Sequence, residues 1–343
     1  MSDKIALSTW PTPMEPMPRL AAALGLYEDD LWIKRDDLIS LGGGGNKVRK
    51  LEWTVGAAVA TGADTLVTTG AGQSNHARLT AAAGARLGLD VVLVFPGTPD
   101  SAADASGNLV LDSLFGARVF WAGDSRPSEM AGVAEDVCRQ LSRDGARPCL
   151  IPFGGSSPLG AQGYVEGGEE LHAQLPDVAH VVVAVGSGGT MAGLLGALGE
   201  ERVLGVHCGA VADPAATVAS LAGALTHRDI APASLRIRTD QVGAGYGVLH
   251  EPVLAAMKTA ALTEGIVLDP VYSGRAMAGL IAAVRDRDIR RGQRTVFLHT
   301  GGLPGLFGHT ETVHRSLTAL HSYNPVRAGA CDAFAGRERR SRS

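Results

Sequence analysis

The stretch SLGGGGNKVRKLEW, residues 40–53, sets two lysines three residues apart, Lys47 and Lys50, behind four consecutive glycines. Glycine lets a backbone approach a ligand closely, and an amine beside it suits an anion or an electrophilic carbon. A lysine kept neutral by burial and neighbouring cations is the side chain that condenses with an aldehyde. At i, i+3 on a helix the two amines share a face. Read alone, the same pair also fits a solvated basic helix face.

Further loops carry complementary chemistry. In TGAGQSNHARLT (69–80), Ser74, Asn75 and His76 fall at a helix start, where a hydroxyl and free N–H groups suit a carboxylate. A plain helix cap and a structural His76 fit that stretch as well. In AVGSGGTMAG (184–193), glycines between an apolar strand and an alanine/leucine helix suit a phosphate, or simply close helix–strand packing. The dinucleotide fingerprint fails there, because the sixth position counted from Gly186 is Met191. The triphosphate loop fails at Lys47, which follows Asn46 and precedes Val48. LDPVYSGRAMAGL (268–280) and FLHTGGLPGLFGH (297–309) add small hydroxyl residues beyond apolar runs. A lysine, a phosphate cup and a carboxylate loop together make up the parts of a pyridoxal-phosphate site.

The elements that position these loops alternate. Apolar runs at 64–69, 90–95, 117–122, 149–153, 180–185, 202–207 and 294–299 predict buried strands. Alanine-rich amphipathic segments such as SNHARLTAAAGARLGL and EMAGVAEDVCRQLSRDG predict helices between them. The expected fold class is α/β, in two three-layer domains with mostly parallel sheets. Residues 45–160 form the smaller domain, and 1–44 with 161–320 the larger, cofactor-binding one. The tail, 321–343, holds five arginines against two acids from Asn324 onward and is expected to be disordered.

At 343 residues the chain accommodates that architecture, and a formal net charge of −4 gives no electrostatic reason to expect nucleic acid or a membrane surface. Cys138, Cys149, Cys208 and Cys331 are scattered, with no spacing for a structural metal, so neither zinc nor disulfides are expected. No signal peptide or long apolar span is evident, and a cytoplasmic setting is expected.

The motifs KRDDL…GGNKVRKLE, TGAGQSNHARLTAAAGARLGL, IPFGGSSPLGAQGYVEGGEEL, VGSGGTMAGL, GAGYGV, EGIVLDPVYSGRAMAGL and HTGGLPGLFGH resemble, in order, the D-cysteine desulfhydrase / 1-aminocyclopropane-1-carboxylate deaminase family over residues 8 to about 312. The resemblance implies pyridoxal-phosphate fold type II (tryptophan synthase beta-like), with pyridoxal 5'-phosphate as cofactor and a homodimer. It implies that Lys47 is the Schiff-base lysine. Lys50, Gly186, Ser187, Gly188, Gly189 and Thr190 would hold the phosphate, and Asn75 the ring hydroxyl. Ser74, with Gln73, Asn75 and His76 around it, would bind the substrate amino acid. Tyr246 and Tyr272 would flank the reacting carbons.

Within the family, the deaminase branch carries glutamate after PVY and leucine in HLGG, whereas Ser273 and Thr300 stand at those places here, as in the desulfhydrase branch. Both would face the ring nitrogen. The implied reaction is elimination from a β-substituted amino acid, most directly D-cysteine to pyruvate, sulfide and ammonia. L-cysteate sulfo-lyase, or a lyase for another β-substituted amino acid, is the nearest alternative, ahead of the cyclopropane deaminase and of a non-catalytic binding protein. The family more often shows two glycines before the lysine, and the longer run here bears on substrate entry.

Overall fold

The computed structural model describes residues 4–99 and 106–321. The arginine-rich tail and Cys331 lie outside the described residues. Among the described residues, ten strands form two sheets. The larger sheet takes β1 (Met14–Pro16), β2 (Leu31–Lys34), β7 (His180–Val185), β8 (Val203–His207), β9 (Arg236–Arg238) and β10 (Thr295–Leu298). Its order is β1-β2-β10-β7-β8-β9. Every pairing in it is parallel except that of β1 with β2. The smaller, all-parallel sheet has the order β5-β4-β3-β6, from β3 (Thr65–Thr69), β4 (Asp90–Phe95), β5 (Arg118–Trp121) and β6 (Pro148–Leu150).

Alternation along each strand builds a core on both faces, because successive side chains point to opposite sides. In β7, Val182 and Ala184 join Phe297 and Met277 on one face, whereas Val181, Val183 and Val185 join Met191 and Leu194 on the other. In β4, Val91, Leu93 and Phe95 pack with Leu79, while Val92 and Val94 pack with Val137. Helices cover these faces: α1 (Pro18–Ala23), α7 (Gly189–Leu198), α8 (Pro214–Thr226), α9 (Glu251–Glu264) and α10 (Ser273–Arg285) on the larger sheet, and α3 (Asn75–Leu87), α4 (Asn108–Leu114) and α5 (Met130–Arg143) around the smaller. Short α11 (Leu303–Phe307) and α12 (Thr310–His321) close the described chain.

Two helices knit the halves. α2 (Lys47–Ala60) lies against α6 (Pro158–Gln174) so closely that a side chain on Gly163 would stand 2.1 Å from the Arg49 carbonyl. Arg49 fixes this joint with both ends of its guanidinium. It donates to Asp36 Oδ2 and Oδ1 at 2.9 and 3.0 Å, and to Glu170 Oε2 and Oε1 at 3.0 and 2.9 Å. Burial pushes the Asp36 carboxyl up, but the Arg49 charge and its hydrogen bonds outweigh that and hold it below the usual carboxylate range. Glu52, on the same helix, accepts from Leu7 N and the Trp10 indole at 2.9 and 3.1 Å, pinning the N-terminal arm.

The seven strands expected from the apolar runs all form or overlap, while β1, β2 and β9 escape the pattern. β2 reads LWIK, and its Lys34 is buried all the same because the Thr12 carbonyl, Glu170 and Gln174 receive its ammonium. β9 reads RIR at the sheet edge, where arginines keep a free edge soluble.

Candidate active site

The strands β3, β7 and β10 all point their C-terminal ends at one cavity, the usual place for a ligand in open α/β sheets. The smaller sheet's side contributes Asn46 and Lys47, then Ser74, Asn75 and His76, then Phe153 and Gly154. The larger sheet's side contributes Ala184, Gly186, Ser187, Gly188 and Thr190, together with Tyr272 and Thr300.

The glycine run earns its length in backbone geometry. Gly42, Gly43, Gly44 and Gly45 all have positive φ, at 56°, 83°, 79° and 126°. A side chain on Gly44 would also stand 2.1 Å from the Asp37 carbonyl. This winding brings Asn46 to the cavity, where its N–H donates to the Thr300 carbonyl at 3.1 Å and its amide to Thr190 Oγ1 at 3.0 Å. Lys47 follows, half-buried, with Nζ 3.2 Å from the Gly154 carbonyl. Burial pulls its pKa down to about 8.

Lys50, one turn on, is fully buried and donates only to neutral oxygens, Ser156 Oγ at 3.0 Å and the Gly154 carbonyl at 3.4 Å. No carboxylate among the described residues pairs with it. Burial first, and the Lys47 charge second, hold its pKa well below the ordinary value. Such an amine calls for an anion, and a phosphate fits the surroundings. The loop 186–188 opens α7 beside it, and a side chain on Gly189 would fill the gap, 2.6 Å from Ser156 Oγ and 2.9 Å from Lys50 Nζ. Ser156 accepts from Lys50 and from Gly189 N, at 3.2 Å, so its own proton is directed to Ser187 Oγ at 2.7 Å.

Ser74 caps α3, accepting from Ala77 N at 3.1 Å. Its hydroxyl proton, and the first-turn N–H groups beyond it, remain available to an anion. Tyr272 presents its hydroxyl to Tyr246 at 2.7 Å, the rings 6.2 Å apart edge to face. Tyr246 itself stands behind Tyr272 rather than on the cavity wall, in a loop held by buried Arg275, which donates to the Gly245 and Val248 carbonyls at 2.7 and 2.9 Å.

Gln73, Ser273 and Tyr246 stand off the cavity wall, whereas His76 lines it with its ring engaged elsewhere. Gln73 does not line the cavity: its amide donates to the Ser106 carbonyl and accepts from Asn108 N, both at 2.9 Å. The His76 ring lies against Thr68 Oγ1 at 3.0 Å, and burial, followed by the charges of Lys47 and Lys50, keeps it neutral. Ser273 is wholly buried and turned to Asp269, donating to Oδ1 at 2.6 Å and accepting from Asp269 N at 2.9 Å. Thr300 does reach the cavity. Asn46, Ser156, Phe153 and Arg275 were missed as site residues. For Ser156 the signal was present in the motif IPFGGSS, which follows a strand as the other ligand loops do.

An amine of lowered pKa, a cationic cup at a helix N-terminus and a capped turn with free N–H groups, set between two α/β halves, fit an enzyme built around an aldehyde cofactor that carries a phosphate. Residues 5–301 match the family described as pyridoxal-phosphate dependent enzyme, and the chain belongs to that family. It is 39% identical over 324 residues to a Pyrococcus abyssi protein named "Putative 1-aminocyclopropane-1-carboxylate deaminase", covering 90% of this chain and 94% of that one. It is 40% identical over 314 residues to a D-cysteine desulfhydrase of Klebsiella pneumoniae, covering 87% and 94%. A crystal structure of an ACC deaminase homologue superposes with a TM-score of 0.81 at 34% identity, covering 91% of this chain and 96% of that one. The protein is therefore a pyridoxal-phosphate-dependent enzyme of fold type II.

Proposed function

We propose that this enzyme eliminates the β-substituent of a small amino acid, D-cysteine first, giving pyruvate, ammonia and sulfide. The observation that carries the reading is that, among the described residues, no carboxylate lines the cavity, whereas Thr300 does. When bound, the cofactor supplies an electron sink for the negative charge that develops at the substrate's Cα. A carboxylate against the ring nitrogen would keep it protonated and deepen that sink, as opening an unactivated cyclopropane requires. A hydroxyl there leaves the sink shallower, which suffices when a thiolate is ready to depart.

The chain's own groups divide the remaining work. Lys50, the 186–189 backbone and Thr190 hold the phosphate, and Asn75 meets the ring hydroxyl. Ser74 and the first-turn amides of α3 hold the substrate carboxylate, which fixes Cα over the amine. Lys47 Nζ, whose pKa burial lowers to about 8, is the group placed to take the Cα proton. Tyr272, its hydroxyl paired with that of Tyr246, borders the leaving group. Apart from Lys47, no lining residue carries a positive charge, which favours sulfide over a sulfonate as the departing group. The identity to a D-cysteine desulfhydrase supports the same substrate. A homodimer and a cytoplasmic setting accompany the reading, the latter supported by Cys138, Cys149 and Cys208, which are all free thiols.

Pyruvate release measured across D-cysteine, L-cysteine, L-cysteate, D-serine, β-chloroalanine and 1-aminocyclopropane-1-carboxylate (2-oxobutyrate for the last) tests this. D-cysteine should be consumed fastest and the cyclopropane acid left essentially unreacted. Comparable rates for these two would sink the assignment.

A further inference from the structure

Asn75 can meet a ring hydroxyl as donor or as acceptor, depending on which way its amide is turned, and two buried side chains decide that. Arg78, on α3, has no exposed surface, and neither has Asn108 at the start of α4. Arg78 Nη1 donates to Asn108 Oδ1 at 2.9 Å and to Asn75 Oδ1 at 3.1 Å. A guanidinium has no acceptor, so both amides must turn their oxygens toward it. That leaves Asn108 Nδ2 facing the opposite way, where it donates to the Gln73 carbonyl at 2.9 Å and to Asn75 Oδ1 at 3.1 Å. The Asn75 oxygen thus receives two donors, and its NH2 group is what remains for the cavity that Asn75 lines. The same guanidinium donates through Nη2 to the Gly44 carbonyl at 2.5 Å, so the turned amide and the glycine loop ahead of Lys47 share one anchor.

We propose that Arg78 and Asn108 are positioning residues that lock the Asn75 amide with its NH2 group toward the cofactor, so that the site presents a donor and selects the ring oxygen as an acceptor. The inference rests on the reading that Asn75 meets the ring hydroxyl, and it adds which atom does so and what holds it there. Neither positioning residue touches the cofactor in this arrangement, and Gln73 serves it by offering its carbonyl.

The test compares binding of pyridoxal 5'-phosphate and of 3-deoxypyridoxal 5'-phosphate, which lacks the ring hydroxyl, to cofactor-free protein. It uses the wild type, Asn75→Ala as reference, the isosteric Asn108→Asp, and Arg78→Met, each checked for folding by circular dichroism. The wild-type preference for the hydroxylated ligand should fall roughly ten-fold or more in all three variants, the worth of one charge-assisted hydrogen bond. Affinity for the deoxy compound should stay within about two-fold, a split that a merely structural role would not produce, since misfolding weakens both ligands alike. Equal weakening of both, or an unchanged preference in Asn108→Asp where Asn75→Ala loses it, would overturn the inference. An unchanged preference in Asn75→Ala itself would overturn the reading beneath it.

Discussion

Lys47 and Lys50 differ only in what surrounds each amine, and that difference assigns their roles. Lys47→Ala should abolish both the visible absorption of the cofactor-loaded enzyme and elimination, since anchor and base are one group. Lys50→Ala should instead weaken cofactor binding while colour and turnover return at high cofactor concentration. The reverse pattern would exchange the two roles. Asp112, beside Arg78, carries a different signature. Both its carboxylate oxygens are buried without a hydrogen bond, and burial pushes its pKa up to about 7, the Arg78 charge only partly opposing. A carboxyl whose folded pKa exceeds its unfolded value takes up a proton on folding, so its support is full below about pH 4 and is lost as pH rises toward 7. Asp36 and Glu170, held below their ordinary values, act with the opposite sign and in a lower window. Asp112→Asn should therefore flatten the fall in melting temperature between about pH 4 and 7, and an unaltered slope would show that another group carries it.

Helix α3 joins stability to binding through the residue that caps it. Ser74 caps the helix and also faces the cavity, so Ser74→Ala should cost about 1 kcal/mol of folding stability. It should also lower kcat/KM roughly ten- to a hundred-fold, for the loss of one charge-assisted hydrogen bond to the substrate. Denaturant unfolding and steady-state kinetics on the same preparation separate the two effects. Retained colour would place Ser74 on the substrate rather than on the cofactor. The starts of α2, α3 and α7 were legible in the sequence because a glycine or a capping residue follows each apolar run or opens each helix. What could not be read was which side chains are spent on neighbours. Gln73 is drawn off by Asn108, which lies 35 positions on, and Ser273 by Asp269 one helical turn away. Nothing in local sequence distinguishes a polar group that faces a ligand from one that satisfies a neighbour. The short strands β1, β2 and β9 were lost for a related reason, since their charged residues are matched only in three dimensions.

Across the molecule, each sheet's side supplies about half of the cavity wall, and ties such as Asn46 to Thr190 and Ser156 to Ser187 cross it. Cofactor binding therefore bridges two bodies that also meet through α2 and α6 and where Gly107 lies against Pro304, and its free energy is shared by both. At a hundred times the dissociation constant it should add about 2.7 kcal/mol, so melting temperature should climb with pyridoxal 5'-phosphate and both halves should melt together. Separate transitions at saturating cofactor, followed by tryptophan fluorescence and circular dichroism, would contradict this.

The crossing of the cavity by both halves has a consequence for the protein's lifetime. A chain whose two bodies are clasped by a diffusible vitamin derivative opens more often when that vitamin is scarce, and proteases remove what opens. Cofactor-free protein should accordingly be cleaved faster than the loaded enzyme in a limited-proteolysis time course, and equal rates would contradict this.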